Sequence, residues 1–138
     1  MKKLSVVVDT NRIIAALIKD SFSRKLLYHA DLEFLGVHAS TPEVQKYKQM
    51  ILKKAKLTEE EFEALLYKLN AKIVFLPDEL IELKLEEAKK IMYGIDPGDV
   101  PFIAAALATG TAVWSEDPHF AKQNAVKVWR TKDLVQFL

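Results

Sequence analysis

The chain has 138 residues, half of them apolar, which is enough for one domain with its own core over residues 1–138. A net charge of +1 neither requires nor excludes a polyanionic partner. Cysteine is absent, which excludes disulfides and thiolate metal sites and suits a reducing cytosol. No segment has the pattern of a secretory leader or the length of a bilayer span, so we expect a cytoplasmic protein without a membrane partner.

The first predicted element is a strand over residues 4–8, whose β-branched run is typical of a strand buried on both faces. Asp9 ends it, and a helix over 12–19 follows directly. The next predicted elements are a helix over 24–30 capped by Ser23, a strand over 33–39, a helix over 42–56, a helix from the Thr58 capping box to 70, a short edge strand over 71–76 and a helix over 79–93 closed by Gly94.

The last third of the chain continues this alternation. An alanine-rich helix over 100–108 ends at Gly110, strands follow over 111–115 and 125–129, and Thr131 caps a C-terminal helix. Strands separated by helices imply crossover connections, and therefore a parallel sheet with helices on both faces. We expect an α/β fold in three layers.

Five acidic residues are predicted to gather at one edge of this sheet. Asp9, Glu43 and Asp117 each come just after a strand, and Asp96 and Asp99 lie in the loop and first helical turn that lead into the fourth strand. Parallel strands bring their carboxyl ends to the same edge, where open α/β sheets bind ligands. Clustered carboxylates repel one another and are tolerated mainly around hard divalent ions such as Mg²⁺ or Mn²⁺.

Helix capping explains most of these acids when each is taken singly. Glu43 completes a capping box with Ser40, and Asp96 and Asp117 each precede a proline that begins a helical turn. Such a cap contributes about 1 kcal/mol. Asp9 is harder to assign in this way, because its neighbours Thr10 and Asn11 could cap the same helix. The metal interpretation rests on the coincidence of all these acids at one edge.

Other polar residues near these acids have supporting roles. Ser115 follows the fourth strand and is expected to bond a carboxylate or a ligand water, and Asn11 is expected to stabilise the loop beside Asp9. Arg12 lies within a turn of the predicted metal site, where it could meet a phosphate. The histidines share no metal-ligand spacing and are interpreted as structural or surface residues; they are His29, His38 and His119.

Four motifs, in this order along nearly the whole chain, resemble those of the PIN-domain family, which includes the VapC-type toxin ribonucleases. They are VVVDTN with Asp9, Thr41–Val44 with Glu43, Asp99–Ala106 at the start of the alanine-rich helix, and Trp114–Asp117 with Ser115 and Asp117. Asp96 matches an additional acid of many members. Arg12, where aliphatic residues are usual, and Glu116, where a small residue is common, depart from the pattern.

The resemblance implies a single PIN-like domain with a five-stranded parallel sheet of order 3-2-1-4-5. It also implies a homodimer that cleaves RNA with Mg²⁺ or Mn²⁺, with an antitoxin protein as a further partner in the toxin members. Asp9, Asp99, Asp117 and Glu43 would be the catalytic and metal-binding residues, with Asp96 as an additional ligand. The choice of RNA as substrate rests on the resemblance.

Three other readings stay open from the residues themselves. An aspartate-nucleophile phosphatase also begins with a strand and an aspartate, but it needs a second aspartate where this chain has Asn11. A phosphoacceptor receiver domain needs adjacent acids after its first strand and an acceptor after its third, and Asp78 fits that place poorly. A PIN-like module that binds nucleic acid or protein without cleavage is the non-enzymatic alternative.

Overall fold

A computed structural model describes residues 4–19 and 21–137, whose strands form one five-stranded sheet. The strands are β1 (Leu4–Val8), β2 (Leu32–Gly36), β3 (Ile73–Phe75), β4 (Ala112–Trp114) and β5 (Val128–Trp129). Their order is β3-β2-β1-β4-β5, and every neighbouring pair is parallel. The predicted parallel sheet and its 3-2-1-4-5 order are confirmed.

Helices cover both faces of the sheet and make the three predicted layers. They are α1 (Thr10–Ile18), α2 (Phe22–Leu27), α3 (Ser40–Lys46), α4 (Lys48–Ala55), α5 (Glu59–Asn70), α6 (Asp78–Glu82), α7 (Leu85–Ile91), α8 (Val100–Thr109) and α9 (Thr131–Leu134). Short 3-10 turns occur at Pro97–Asp99, Phe120–Lys122 and Val135–Phe137. In the described ranges, no helix combines the length and hydropathy that a bilayer crossing requires.

The core has two halves, one on each side of the sheet. Along β1 the side chains alternate: Val6 and Val8 pack with α1 to α5 and α9, whereas Val7 packs with α6 to α8. All three valines are fully buried. The predicted burial of β1 on both faces is therefore confirmed. The buried strand fixes the position of Asp9, which follows Val8.

Two predicted helices are each broken in the structure. The helix expected over 42–56 bends at Tyr47, which separates α3 from α4. The helix expected over 79–93 breaks between α6 and α7, where Lys84 leaves helical geometry with ψ of 8°. Leu83, directly before this second break, is 77% exposed. Neither break carries a glycine or proline, so local sequence gave no signal for it.

Local capping was predicted with mixed success. Thr58 begins α5 with the expected reciprocal pair, in which the Glu61 amide donates to Thr58 Oγ1 at 3.1 Å and the Thr58 amide donates to Glu61 Oε1 at 2.9 Å. Gly110 ends α8 in the left-handed region, at φ +65°. The prediction for Ser23 was wrong, because it is a buried residue inside α2. Thr131 is likewise the first residue of α9 and not its cap.

Gly36 at the end of β2 is required by the close approach of β3, and its substitution gives a first testable prediction. A Cβ at this position would lie 2.6 Å from Ile73 Cγ2 and 3.0 Å from the Phe75 ring. Gly36→Ala is expected to lower the free energy of unfolding by about 1–3 kcal/mol through overpacking. Urea denaturation measures this loss. In an Ile73→Ala background the same change should cost less, and an undiminished cost there would contradict the steric explanation.

Candidate metal centre

Asp9 lies directly after β1, at the carboxyl edge of the sheet, and is only 4% exposed. Its Oδ2 accepts a hydrogen bond from Ser115 Oγ at 2.7 Å, and the Asp117 amide donates to the same Ser115 oxygen at 2.9 Å. Burial raises the pKa of Asp9 and the Asp117 charge adds to this, whereas Ser115 and the Asn11 amide lower it. Ser115 therefore connects the ends of β1 and β4, as expected of a supporting residue.

Asp99 is the most perturbed acid of the cluster. It lies at the junction between the 3-10 turn and α8, is 8% exposed, and its Oδ2 has no hydrogen-bond partner among the described residues. Burial first, and then the charges of Asp117, Asp96 and Asp9, raise the pKa of Asp99 to about 7. A carboxylate held in this way lacks the counter-charge that its ionised form requires.

Asp96 begins the 3-10 turn before Asp99. Its Oδ1 accepts a hydrogen bond from the Gly98 amide at 2.9 Å, as expected of a cap. Its other oxygen, Oδ2, faces the cluster and lies 3.2 Å from His119 Nδ1. Asp96 therefore combines the two roles that its sequence position left open, a helical cap and a member of the acidic group.

Glu43 approaches the cluster from the first turn of α3. Burial and the charges of Asp9 and Asp96 raise its pKa, whereas the Thr10 hydroxyl and Lys46 lower it. The predicted capping box with Ser40 is wrong, because Ser40 is itself a residue of α3 and its Oγ lies 2.8 Å from Thr10 Oγ1. Sequence reasoning missed Thr10, which links the start of α1 to Ser40 and Glu43.

His119 joins the cluster, contrary to its interpretation as a structural or surface histidine. Its Nδ1 lies 3.2 Å from Asp96 Oδ2, 3.3 Å from Asp117 Oδ1 and 3.8 Å from Asp99 Oδ2. The His119 amide also donates to Asp117 Oδ1 at 2.9 Å, which folds the chain back on that aspartate. An aspartate whose side chain accepts from the amide two residues on is a common turn, and this was the sequence signal available.

The two departures from the family pattern lie at the rim of this site. Glu116 turns away from the cluster, since Oε1 accepts from the Thr131 amide at 2.6 Å and Oε2 from Arg130 Nε at 3.1 Å. Arg12 is half-buried, donates to Ser23 Oγ at 3.4 Å, and lowers the pKa of both Asp9 and Glu116. Arg12 is thus a cation placed between the cluster and the start of α9.

The donor set fits a divalent metal. Asp96, Asp99, Asp117 and His119 each offer a ligand atom, and these atoms lie within 4.8 Å of one another. Opposite ligands of an octahedral ion stand roughly 4.2 Å apart, given bonds of about 2.1 Å, so one ion could join the four after small adjustments. A divalent cation would give the buried Asp99 Oδ2 a partner and would supply the positive charge that favours ionised Asp99, whose pKa is raised to about 7.

Fold and site together define the class of this protein: a parallel α/β protein whose carboxyl-edge acids have the chemistry of a divalent-metal centre. Sequence comparison is more specific. The chain matches the family described as PIN domain over residues 7–138 and therefore belongs to that family. The resemblance seen in the four motifs is confirmed.

Comparison with solved structures supports the same fold. The chain is similar to a chain in the crystal structure of VapBC2 from Rickettsia felis bound to a DNA fragment from their promoter. The two are 14% identical, with a TM-score of 0.65, and the alignment covers 92% of this chain and 98% of that one. A comparison with curated protein sequences finds no match.

Proposed function

We propose that this protein is a metal-dependent endoribonuclease that hydrolyses RNA phosphodiester bonds with Mg²⁺ or Mn²⁺. The observation that carries the proposal is Asp99, a buried carboxylate without a hydrogen-bond partner among the described residues, close to the charges of Asp96 in its own turn and of Asp9 and Asp117 from two other segments. Members of the PIN domain family are generally nucleases that use a divalent metal. A module that binds no metal would gain nothing from so unfavourable a cluster of carboxylates.

Metal binding is assigned to Asp9, Asp99 and Asp117, with Glu43 and Asp96 completing the acidic set. Ser115 positions Asp9 through its 2.7 Å hydrogen bond, and the Asn11 amide supports the same carboxylate. When bound, the divalent ion supplies Lewis acidity at the phosphoryl group and makes water a competent nucleophile near neutral pH. Asp9 directly follows β1 and Asp117 lies three residues after β4, so the buried strands fix these two ligands before the substrate arrives.

Glu43 is the candidate general base. Its raised pKa makes its carboxylate a better proton acceptor than an ordinary glutamate, and the Thr10 hydroxyl orients it. In the proposed reaction water attacks phosphorus, its proton passes to Glu43, the bond from phosphorus to the leaving ribose oxygen breaks, and that oxygen takes up a proton. Arg12 at the rim would neutralise a flanking backbone phosphate.

Two partners are proposed besides RNA. The similar Rickettsia felis chain is from a structure of VapBC2 bound to a promoter DNA fragment, and the four motifs of this chain resemble those of the VapC-type toxins, which implies an antitoxin partner. We therefore propose that this chain is the toxin of such a pair, and that it works in the cytoplasm as a homodimer. Size-exclusion chromatography with light scattering tests the dimer without any partner.

Incubation of the purified protein with single-stranded RNA tests the activity. We expect cleavage with Mn²⁺ or Mg²⁺, none with EDTA, and recovery when the metal is restored. Asp9→Asn is expected to be inactive, because it removes a buried carboxylate that lies close enough to Asp99 and Asp117 to affect their charges. Asp31→Asn is the matched control, since Asp31 is exposed and precedes β2, at the opposite edge of the sheet.

The same preparation separates the alternatives. Calorimetric titration with Mn²⁺ should show binding to the wild type and to Asp31→Asn, and weakened binding to Asp9→Asn. Cleavage that survives EDTA, or that Asp9→Asn retains, would contradict the nuclease proposal. Metal binding that depends on Asp9 without cleavage of single-stranded or structured RNA would favour the non-catalytic module.

A further inference from the structure

The position of His119 is fixed from both sides along the chain. On one side its amide donates to Asp117 Oδ1 at 2.9 Å. On the other, Phe120 is fully buried and packs edge-on against Phe102 of α8, with ring centroids 6.3 Å apart and planes at 82°. The fold therefore fixes the position of His119 in the chain and keeps its imidazole beside the cluster.

Its Nδ1 atom has an unusual environment. Two carboxylate oxygens, from Asp96 and Asp117, lie at 3.2 and 3.3 Å, which is hydrogen-bonding distance. Neither has the angle of a hydrogen bond, and the nitrogen is buried without a hydrogen-bond partner in the described ranges. The ring as a whole is 39% exposed, so the buried nitrogen is the edge that faces the acids.

A second observation is independent of this histidine. Asp99 is 8% exposed and its Oδ2, 3.8 Å from the same Nδ1, also has no hydrogen-bond partner. A buried nitrogen and a buried carboxylate oxygen that lie 3.8 Å apart, both without a hydrogen-bond partner in the described ranges, have the placement of two ligands of one ion when the imidazole is neutral.

From this geometry we infer that His119 is a nitrogen ligand of the metal centre and makes it prefer first-row transition ions, for which Mn²⁺ is the probe, over Mg²⁺. The inference rests on the proposed metal site and adds a ligand outside the acidic set. Mg²⁺ takes oxygen ligands and keeps its waters, whereas imidazole nitrogen binds transition ions well. An all-carboxylate site would lack this discrimination.

Pulsed EPR of the Mn²⁺-loaded full chain tests the ligand directly. Imidazole bound through nitrogen gives a ¹⁴N hyperfine coupling to Mn²⁺, which we expect in the wild type and not in His119→Gln. His29→Gln is the matched control, because His29 precedes β2 at the opposite edge and should leave the coupling unchanged. The wild-type spectrum needs no variant, so a misfolded variant cannot decide the result.

Affinity gives the second readout. We expect His119→Gln to weaken Mn²⁺ binding about tenfold or more, and Mg²⁺ binding, measured by competition against Mn²⁺, by less than about threefold. If His119 were only a counter-charge for the acids, His119→Gln would bind Mn²⁺ as tightly as the wild type or more tightly, and the wild type would show no ¹⁴N coupling. Either result overturns the inference and leaves the metal site intact. Failure of the wild type to bind Mn²⁺ overturns the metal site as well.

Discussion

Metal-free Asp99→Asn is expected to be more stable than the metal-free wild type at pH 8. Burial and neighbouring charges raise the pKa of Asp99 to about 7 in the folded protein, above its ordinary value near 4. Below about pH 4 the wild-type carboxyl is neutral in both states and the variant should gain nothing. Between about pH 4 and pH 7 the unfolded state loses this proton while the folded state keeps it, so the wild type loses stability and the gap between variant and wild type opens. Above about pH 7 the carboxyl is ionised in both states and the gap stays constant.

The size of this gap is limited by water at the rim of the cluster. A shift from 3.8 to about 7 corresponds to roughly 4 kcal/mol for a fully buried group. With solvent screening we expect about 1–2 kcal/mol, or a rise in melting temperature of roughly 3–8 °C. Thermal melts at pH 4 and pH 8 in EDTA measure it. A variant that is less stable at pH 8, or a gap that is independent of pH, would contradict the prediction.

Divalent metal should reverse this order. Mn²⁺ stabilises the wild type because it binds the folded state and supplies the missing counter-charge, whereas Asp99→Asn lacks the ligand and should respond little. The same substitution is expected to lower metal-dependent RNA cleavage by at least about 100-fold. Asp31→Asn, an exposed change at the other edge of the sheet, should match the wild type in both melts and cleavage. Replacing an acid of a functional cluster should raise stability and lower activity. Replacing a merely structural acid should lower stability and leave activity unchanged.

The sheet was predictable because its signals are local and strong. Val6, Val7 and Val8 form a continuous buried run, and the alternation of strands with helices leaves few topologies for a parallel sheet. The breaks at Tyr47 and Lys84 were not predictable in this way. No glycine or proline marks them, so intrinsic helix propensity does not indicate where these helices break.

The acids of the site were predictable for a different reason. Asp9 and Asp117 follow strands whose ends must meet in a parallel sheet, so their proximity is a consequence of topology. His119 was missed because its place depends on a turn around Asp117 and on the anchoring of Phe120, which a search for histidine spacing does not detect. Histidine-spacing rules look for a second histidine nearby, whereas the neighbours of His119 are Asp117 in its own loop and Asp96 and Asp99 before α8.

Trp114→Ala is expected to be the most damaging single substitution in the core, with a loss of about 3–5 kcal/mol in the free energy of unfolding. Trp114 is fully buried at the end of β4, and its ring lies 5.3 Å from that of Phe34. Its carbonyl accepts from the Asp9 amide at 3.1 Å, so the same residue supports the backbone of the metal site. Urea denaturation, followed by circular dichroism, measures the loss.

Two milder variants divide this cost into packing and hydrogen bonding. Trp114→Phe keeps most of the apolar contact and loses the bond from Nε1 to Thr131 Oγ1, which is 3.1 Å long. Thr131→Val removes the acceptor alone and should cost about 1 kcal/mol. Packing is the larger contribution if the loss in free energy of unfolding for Trp114→Phe is much closer to the loss for Thr131→Val than to the loss for Trp114→Ala. Equal losses for Trp114→Ala and Trp114→Phe would instead make the indole hydrogen bond the main contribution, because both variants lack it while only one opens a cavity beneath Asp9.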